Sequence, residues 1–486
     1  MEYRSVWQRK TKKYPQLKKD ADRDIVVVGG GIAGYLTAFR LAEAGQEVTL
    51  LEADRLFSGT TGRTTAKISA NQGCVYSELF ERYGQRVTEL YYRSQTEGIR
   101  LFEELVHRYG IECDWAERDG YIFSEDRRYK IEALHRVLRR VGADCEVVES
   151  PELFKESCAL KMSGQYLFDP LKFLSALPVR FEIFEDTRVV DIDPKKKILR
   201  TDGGSIYAKK IIVATHYPMI NSHGGYFMKL RQSMSYTIAV SGKGAEDMYL
   251  DEREDGLSVR PYAEGTLLGG GDHRTGRIDD KRHFAALESS ADKLFGRKNV
   301  THRWCAEDVM TFDGMPMAGK YSKSLEGIYV VTGFNKWGMT NAMVCASVLT
   351  DLLLGKENPY AEIFSPQRHI KKSFGDFVSN ALTNVGGIFL GYCRITLKTA
   401  KDVPAGSGMI VFHHGKKRAV YRDLSGELHV IGNKCPHMHC ELKWNGETNT
   451  WDCPCHGSRF DIYGNVISEP STKAVNIVGK TPKIEI

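Results

Sequence analysis

A run of four β-branched residues marks the first regular element of the chain. Ile25–Val28 read IVVV after a polar stretch, a pattern that predicts a strand buried on both faces of a parallel sheet. A helical segment follows, with Ala38 and Leu41 on its predicted buried face and Gly45 at its end. A second apolar run then ends at Glu52. The succession of strand, helix and strand predicts the first unit of an α/β domain.

Two later segments repeat this pattern, with further predicted strands between them. Ala208–His216 predicts a strand that leads into a turn, and Leu325–Gly355 predicts a strand, a glycine turn and a helix. The intervening stretches Ser233–Gly242, Gly256–Tyr262 and Gly265–Gly276 predict strands of a large mixed sheet. The chain is therefore expected to return twice to its first domain, with a second sheet interleaved.

Composition and charge argue against several classes of function. The 486 residues are 42% hydrophobic and 27% charged, and no apolar run approaches the roughly eighteen residues that a membrane span needs. Much of the net charge of +6 lies in the first twenty residues, which predict a basic, solvated N-terminal arm without the apolar core of a signal peptide. No nucleic-acid partner is indicated. These observations predict a cytoplasmic protein without a membrane span.

Three glycines follow the first strand in the order G-x-G-x-x-G. Gly29, Gly31 and Gly34 predict a tight turn, a close approach of the backbone to a pyrophosphate, and a helix packed on the strand. Glu52 then stands where a carboxylate accepts hydrogen bonds from an adenosine ribose. The motif alone fits FAD or NAD. FAD is favoured because the motif opens the chain, no second copy follows, and the chain returns twice to the same domain.

Two cysteine- and histidine-rich loops lie near the C-terminus. The spacings C-x-H and C-x-x-H nominate Cys435, His437, Cys453 and His456 as metal ligands. A closed zinc site is one interpretation of two cysteines and two histidines. Each loop, however, supplies one thiolate and one imidazole, which suits a [2Fe-2S] cluster with one iron held by cysteines and the other by histidines.

The sequences CPHMHC and CPCHGS in these loops resemble those of the Rieske family. The resemblance implies a [2Fe-2S] cluster on the four nominated ligands and a disulfide between Cys440 and Cys455, as in members of the cytochrome bc type. It also implies that the Ser458 hydroxyl hydrogen-bonds a cluster sulfur. His439 departs from the pattern, because the family usually has glycine there. We interpret it as a loop residue, not a ligand.

The first two thirds of the chain resemble the D-amino-acid oxidase family, which includes glycine and sarcosine oxidases. The resemblance rests on the glycine motif, on SGTTGRTTAKISANQG at Ser58–Gly73 and on TGFNKWGMT at Thr332–Thr340. It implies that the flavin ring of FAD lies beside two groups of residues. These are Arg63, Thr64, Thr65 and Ala66 in the first stretch, and Gly333, Gly338 and Met339 in the second.

The predicted fold class is α/β, with a Rossmann-like FAD-binding domain, an interleaved mixed-sheet substrate domain and a small all-β Rieske domain. The parts are a basic arm at 1–22, an FAD-dependent oxidoreductase at 23–360, a connector at 361–400 and the Rieske domain at 401–486. Within the oxidoreductase, FAD-binding segments are expected at about 23–75, 175–222 and 300–360, and substrate segments at about 76–174 and 223–299. The connector predicts a packed helix, or alternatively a membrane-surface contact.

The family resemblance implies oxidation of a C–H bond next to an amine nitrogen in a small amine or amino acid. Arg260 and Arg274 are candidates for holding a substrate carboxylate bidentately. Tyr236, Tyr262 and Trp337 are candidates for the walls of the substrate site. Surface arginines and core aromatics are the alternative interpretations. No catalytic base is nominated, because the amine need only arrive unprotonated.

A flavin accepts two electrons and a Rieske cluster carries one. The pairing therefore predicts a dehydrogenase that passes electrons from FAD through the cluster to an external one-electron acceptor. A second dinucleotide motif, expected of an NAD(P)H-fed reductase, is absent from the sequence. A different class of function, a redox sensor or electron-transfer adaptor without metabolic turnover, fits the same motifs.

Overall fold

The computed structural model describes residues 3–9, 11–220, 223–242, 244–277, 282–296, 299–368 and 396–477. The predicted connector falls mostly at 369–395, so its helix and its alternative membrane-surface contact lie outside the described residues. In the described ranges, no helix combines the length and the apolar character that crossing a membrane requires.

The helices and strands of the described residues alternate through most of the chain. The helices are α1 (Ile32–Glu43), α2 (Val75–Tyr83), α3 (Gln85–Tyr109), α4 (Arg128–Arg140), α5 (Pro170–Ala176), α6 (Tyr226–Lys229), α7 (His283–Phe295), α8 (Gly338–Leu353) and α9 (Ala361–Phe364), with 3-10 turns at Thr60–Arg63 and Ala400–Asp402. The strands of the first two thirds are β1 (Ala21–Val28), β2 (Val48–Leu51), β3 (Lys67–Ile68), β4 (Ala116–Ser124), β5 (Glu146–Glu149), β6 (Cys158–Leu167), β7 (Glu182–Phe184), β8 (Val189–Asp193), β9 (Ile198–Thr201), β10 (Ser205–Val213), β11 (Leu230–Ser241), β12 (Met248–Asp251), β13 (Ser258–Tyr262), β14 (Gly265–Arg274), β15 (Val300–Thr311), β16 (Met317–Lys320) and β17 (Ile328–Thr332). The C-terminal strands are β18 (Ser407–His413), β19 (Lys416–Arg422), β20 (Leu428–Gly432), β21 (Lys443–Asn445), β22 (Thr450–Asp452), β23 (Arg459–Phe460) and β24 (Val466–Ser468).

The first sheet is the predicted dinucleotide-binding layer. Its main strand order is β16-β17-β10-β1-β2-β7, and β1 lies parallel to both β10 and β2. Val26 pairs with Ile211 on one side and with Thr49 on the other, which buries the apolar run of β1 at the centre of the sheet. Helices α1 and α8 pack together against this sheet. The two returns of the chain, in β10 and β17, thus complete the layer as predicted.

The second sheet is mixed and has nine strands, in the main order β15-β11-β14-β13-β12-β4-β6-β3. One difference from the expected segments concerns β15, which the sequence places in the FAD-binding part at 300–360. It belongs to the second sheet because it pairs along its length with β11, from Leu230 opposite Thr311 to Val240 opposite Val300. The strand therefore carries its side chains to the boundary between the two sheets.

The C-terminal region is all-β, as predicted. It contains a three-stranded sheet, β18-β19-β20, and a four-stranded sheet, β21-β22-β23-β24. Trp451 and Phe460 are fully buried between them, together with Leu442. This small core supports the two cysteine- and histidine-containing loops at one end.

The N-terminal arm is anchored to the rest of the protein by a few buried residues, which corrects the prediction of a solvated arm. The Trp7 side chain is 4% exposed, and its indole N–H donates to the carbonyl of Thr64 at 2.7 Å. Leu17 is also buried, and its backbone N–H donates to the Thr187 hydroxyl at 3.0 Å. The physical reason is that isolated apolar residues among the charges anchor the arm, while many of the lysines remain at the surface.

Candidate functional site

A cavity of about 520 Å³ runs between the two sheets. The end of β1 and the start of α1 form one wall, and strands β11, β14 and β15 form the opposite wall. All but two of the predicted FAD-binding residues line it; those that do are Gly29, Gly31, Glu52, Arg63, Thr64, Thr65, Gly333, Gly338 and Met339. The cavity therefore extends along the glycine motif, Glu52 and both predicted flavin segments.

Two glycines of the motif, Gly29 and Gly34, are packed so closely against backbone atoms that no larger residue fits. A Cβ atom on Gly29 would lie 2.5 Å from the Ala214 carbonyl oxygen, and one on Gly34 would lie 2.0 Å from the Gly29 carbonyl oxygen. Gly29 has a φ of +109°, a conformation that favours glycine. Gly34 does not line the cavity, because it packs against the Gly29 carbonyl oxygen on the other side of the turn. The turn is thus a backbone cradle of the kind that a pyrophosphate requires.

Glu52 follows β2 and faces the cavity. Its carboxylate accepts hydrogen bonds from the backbone N–H groups of Gly30, at 2.6 Å, and Asp54, at 2.9 Å. Burial raises the pKa of Glu52 to about 7, although these two hydrogen bonds oppose the shift. Its position at the tip of β2 matches the role predicted for the ribose acid.

The predicted flavin segments meet near the middle of the cavity. Ala66 does not line it, because its side chain is buried behind the loop and its backbone has a φ of +53°. Arg260 explains this arrangement. Its guanidinium is 2% exposed and donates to the carbonyls of Thr65 and Ala66, each at 2.7 Å. Arg260 therefore holds the loop and does not line the cavity, which corrects its assignment as a carboxylate-binding residue.

The second predicted arginine is also placed elsewhere. Arg274 donates to the carbonyl of Cys455 at 2.8 Å and joins the two domains outside the cavity. Of the aromatic candidates, Tyr236 and Trp337 line the cavity, whereas Tyr262 does not. The sequence could not identify the placement of the two arginines, because their acceptors lie more than a hundred residues away along the chain.

Several charged residues that line the cavity were not predicted, among them Lys67, Asp272, Asp308 and Lys336. The Lys336 ammonium lies 3.0 Å from an oxygen of Asp272. Burial raises the pKa of Asp308 to about 6, and the nearby Asp272 charge adds to the effect while Lys336 opposes it. Burial, with the Arg260 cation nearby, lowers the pKa of Lys67 to about 7. Lys67 and Lys336 lie inside the two motifs that carry the family resemblance, a signal that sequence reasoning passed over.

The predicted cluster ligands converge at the tips of the two C-terminal loops. Cys435 and Cys453 are buried free thiols, and the rings of His437 and His456 are 5.0 Å apart between centroids. Among the described residues, neither ring nitrogen of His456 has a hydrogen-bond partner, although both are buried. Buried imidazole nitrogens of this kind suit metal ligation. The donor set therefore fits a [2Fe-2S] cluster.

The two loops are built alike and joined covalently. Cys440 and Cys455 form the predicted disulfide between them. The backbone N–H of His439 donates to the Cys435 carbonyl, and His439 has a φ of +57°, which explains why the family usually has glycine at this position. The Ser458 hydroxyl oxygen is fully buried and accepts an N–H from the backbone of Ser471 at 3.0 Å. The Ser458 side chain also hydrogen-bonds the thiol of Cys435, one of the predicted cluster ligands.

The cluster loops press directly on the oxidoreductase domain. His456 is 2% exposed, and its ring packs edge-on against Tyr217 and Phe227 at 6.4 Å between centroids. A Cβ atom on Gly276 would lie 2.5 Å from the Pro454 nitrogen, and one on Gly457 would lie 2.6 Å from the Cβ of Gln232. Only glycine permits such close approach of two domains here, since both have φ values in the left-handed region.

A buried charged network joins the same two domains. The Arg459 guanidinium lies 3.2 Å from an oxygen of Asp452 in its own domain and 3.6 Å from an oxygen of Glu307 on β15. All three side chains are 5% exposed or less. Glu307 also contacts the hydroxyl of Ser468. Because Glu307 lines the cavity, this network ties the cavity wall to the cluster-bearing domain.

Comparisons with known proteins assign both halves. Residues 24–352 match the family model described as FAD dependent oxidoreductase, and residues 393–479 match the Rieske [2Fe-2S] domain. A Bacillus subtilis (strain 168) protein described as "Putative Rieske 2Fe-2S iron-sulfur protein YhfW" is 32% identical over 478 residues, covering 95% of this chain and 94% of that protein. Gamma-glutamylputrescine oxidoreductase of Escherichia coli (strain K12) is 23% identical, over 70% of this chain and 86% of its own.

A solved structure has the same fold as the first part of the chain. Glycine oxidase from Geobacillus kaustophilus superposes with a TM-score of 0.61 at 20% identity, covering 72% of this chain and 99% of that chain. The part of this chain that the superposition leaves uncovered is large enough to contain the C-terminal all-β region. The glycine cradle and the buried cysteine and histidine donors agree with these matches. The chain belongs to the FAD-dependent oxidoreductase family, binds FAD, and carries a C-terminal Rieske domain for a [2Fe-2S] cluster.

Proposed function

We propose that the protein is an amine or amino-acid dehydrogenase that sends electrons from its flavin through the Rieske cluster to an external one-electron acceptor. Bound FAD supplies the acceptor for hydride from a C–H bond next to nitrogen, and the cluster supplies single-electron transfer. The residues of the chain would bind and orient the amine, exclude water and hold the two cofactor sites together. One observation carries the proposal: the wall of the FAD cavity continues directly into the contact with a cluster ligand.

That contact involves two consecutive residues at the end of β10. His216 lines the cavity, and Tyr217, the next residue, packs against the ring of His456. Tyr217 is fully buried at this interface. The cavity wall and the histidine side of the cluster site are therefore joined by two neighbouring residues of the chain. Such an arrangement supports electron transfer from the flavin site to the cluster site within one chain.

The charged end of the cavity supports a cationic amine as the substrate. Asp272 and Asp308 face this space. Of the two ammonium groups named above, that of Lys336 is paired with Asp272, and that of Lys67 donates to neutral acceptors. A substrate ammonium would therefore be attracted to Asp308, where the local dielectric constant is low and the interaction is strong. The bound ammonium would then lose its proton before hydride leaves the neighbouring carbon. The name of the Escherichia coli relative also describes oxidation or reduction of an amine compound.

Lys67 would decide whether the substrate also carries a carboxylate. Its ammonium donates to the Ser258 hydroxyl at 2.7 Å and to the Tyr249 carbonyl at 3.2 Å, both of which are neutral acceptors. A substrate carboxylate would supply a charged acceptor and would favour the protonated lysine. Replacing Lys67 by methionine should therefore weaken the binding of amino acids and leave the binding of simple amines nearly unchanged.

An anaerobic substrate screen tests the proposed function. The holoprotein is mixed with a panel of primary and secondary amines, each with and without a carboxylate, and flavin absorbance is followed. We expect at least one class to bleach the flavin, followed by appearance of the reduced-cluster signal in electron paramagnetic resonance spectra. Bleaching without cluster reduction would contradict the relay. If no amine bleaches a flavin that dithionite can reduce, the sensor or adaptor function is favoured.

Asp308 gives a prediction about pH. Because the pKa of Asp308 is raised to about 6, its carboxylate is neutral below that pH and charged above it. Binding of a cationic amine should tighten as pH rises through about 6, measured as the apparent Kd for anaerobic flavin bleaching, with the limiting rate of flavin reduction determined separately. Asp308→Asn should remove this change in the apparent Kd. An unchanged pH profile in the asparagine variant would show that Asp308 does not face the substrate cation.

A further inference from the structure

One segment of the Rieske domain lies over the FAD cavity. Residues 467–472, here named the covering segment, follow β23 and include the end of β24. Ile467, Ser468, Glu469 and Thr472 line the same cavity as the glycine motif and the ribose acid. The cavity is thus built by both domains, although the glycine motif and both flavin segments belong to the first.

Contacts on both sides fix the covering segment. The Gln232 side chain donates from Nε2 to the Glu469 carbonyl at 2.6 Å, across the domain boundary. The Ser468 hydroxyl contacts the Glu307 carboxylate, also across the boundary. Within the Rieske domain, the backbone N–H of Ser471 donates to the hydroxyl of Ser458 in the cluster loop. The segment is therefore anchored to the cavity wall and to the cluster loop at once.

The Glu469 carboxylate lies at the adenosine end of the cavity. Burial is the largest cause of the raised pKa of Glu52, and the charge of Glu469 adds to it. Burial also raises the pKa of Glu469, while Arg188 opposes and Asp54 reinforces the shift. Arg188 and Asp54 line the same part of the wall and lie 3.1 Å apart. Glu469 is half-buried and lines the cavity.

Two carboxylates that face one cavity repel each other unless hydrogen-bond donors lie between them. Glu52 and Glu469 form such a pair at the adenosine end. The adenosine portion of FAD offers suitable donors in the ribose hydroxyls and the exocyclic amino group of adenine. We propose that Glu469 is an FAD-binding residue contributed by the Rieske domain, and that it accepts a hydrogen bond from the adenosine portion opposite Glu52.

This assignment makes the Rieske domain part of the flavin site as well as an electron carrier. FAD would be enclosed between the glycine cradle and the covering segment, so its release would require the contacts of Gln232 and Ser468 to open. The proposal concerns FAD binding alone and is independent of the substrate. It can therefore fail while the proposed dehydrogenase function stands, and the reverse also holds.

The test measures release of FAD from Glu469→Leu. Dilution into buffer containing a flavin scavenger, followed by flavin fluorescence, gives the dissociation rate without any substrate. Loss of a hydrogen bond to a charged acceptor should speed FAD release by about tenfold or more. Glu469→Gln keeps one acceptor oxygen and should show a smaller effect. Glu427→Leu, an exposed site in the same domain, is the matched control and should release FAD at the parental rate.

Two further measurements separate the proposal from simple misfolding. The cluster spectrum of each variant must match the parent, which shows that the Rieske domain is folded. In the parent protein, adding FAD to the FAD-depleted form should slow hydrogen exchange of the backbone amides in 467–472. Parental FAD release from a folded Glu469→Leu protein would overturn the proposal, and so would unchanged exchange of the covering segment.

Discussion

Replacing Cys453 by serine should abolish the Rieske cluster and stop turnover with one-electron acceptors. Cys453 is a buried thiol at the centre of the ligand set, and serine offers a harder and less readily ionised donor. The flavin should remain reducible by substrate under anaerobic conditions, at a rate within a few-fold of the parent, because the glycine cradle and Glu52 are untouched. Electron paramagnetic resonance measures the cluster, and stopped-flow absorbance measures flavin reduction.

The control for this experiment is Cys74→Ser. Cys74 is a partly exposed free thiol that precedes α2, remote in sequence from the cluster loops. Its replacement should leave both the cluster signal and turnover unchanged. Undiminished turnover with the natural acceptor after loss of the cluster in Cys453→Ser would refute the relay. The Rieske domain would then be a sensing or docking module.

Replacing Arg459 by methionine should lower the free energy of unfolding by about 3–5 kcal/mol, the usual cost of removing one partner from a buried ion pair. The change leaves the carboxylates of Asp452 and Glu307 buried without their shared cation. Because Glu307 belongs to the other domain, the loss should appear both in thermal unfolding and in looser docking of the Rieske domain. Calorimetry and limited proteolysis of the connector region measure these two effects.

The matched variant is Glu307→Gln, which removes one charge and keeps the Arg459–Asp452 pair. It should lower the free energy of unfolding by less than Arg459→Met does. The double variant should lower it by less than the sum of the two single effects, because the two residues interact directly. Strict additivity would contradict a direct interaction across the boundary. If Arg459→Met lost the full expected stability but docking of the Rieske domain did not change, Arg459 would stabilise the Rieske domain alone.

The cofactor sites could be predicted from the sequence because their determinants are local. The glycine motif specifies its own turn within six residues, and a cluster ligand set is determined by spacing inside two short loops. Cys435 and Cys453 are buried together in one small core. The disulfide between Cys440 and Cys455 was implied by the resemblance to the Rieske family, and the structure contains it.

The substrate end of the cavity could not be predicted in the same way. Arg260 could have bound a carboxylate, but its acceptors Thr65 and Ala66 lie 195 and 194 residues away along the chain. Asp308 faces the cavity only because β15 joins the second sheet, and the sequence pattern assigns that strand to the other layer. The choice of partner for a buried charge is a property of the assembled fold, and no local pattern contains it.

The bridge from Gln232 to Glu469 spans 237 residues of chain, which has a consequence for biosynthesis. Domains fold as units from the N-terminus during translation, so the glycine cradle leaves the ribosome long before the last strands of the Rieske domain exist. Contacts between residues so distant in the chain form late. During that interval one end of the flavin cavity is open to solvent, and newly made protein has its easiest opportunity to acquire FAD.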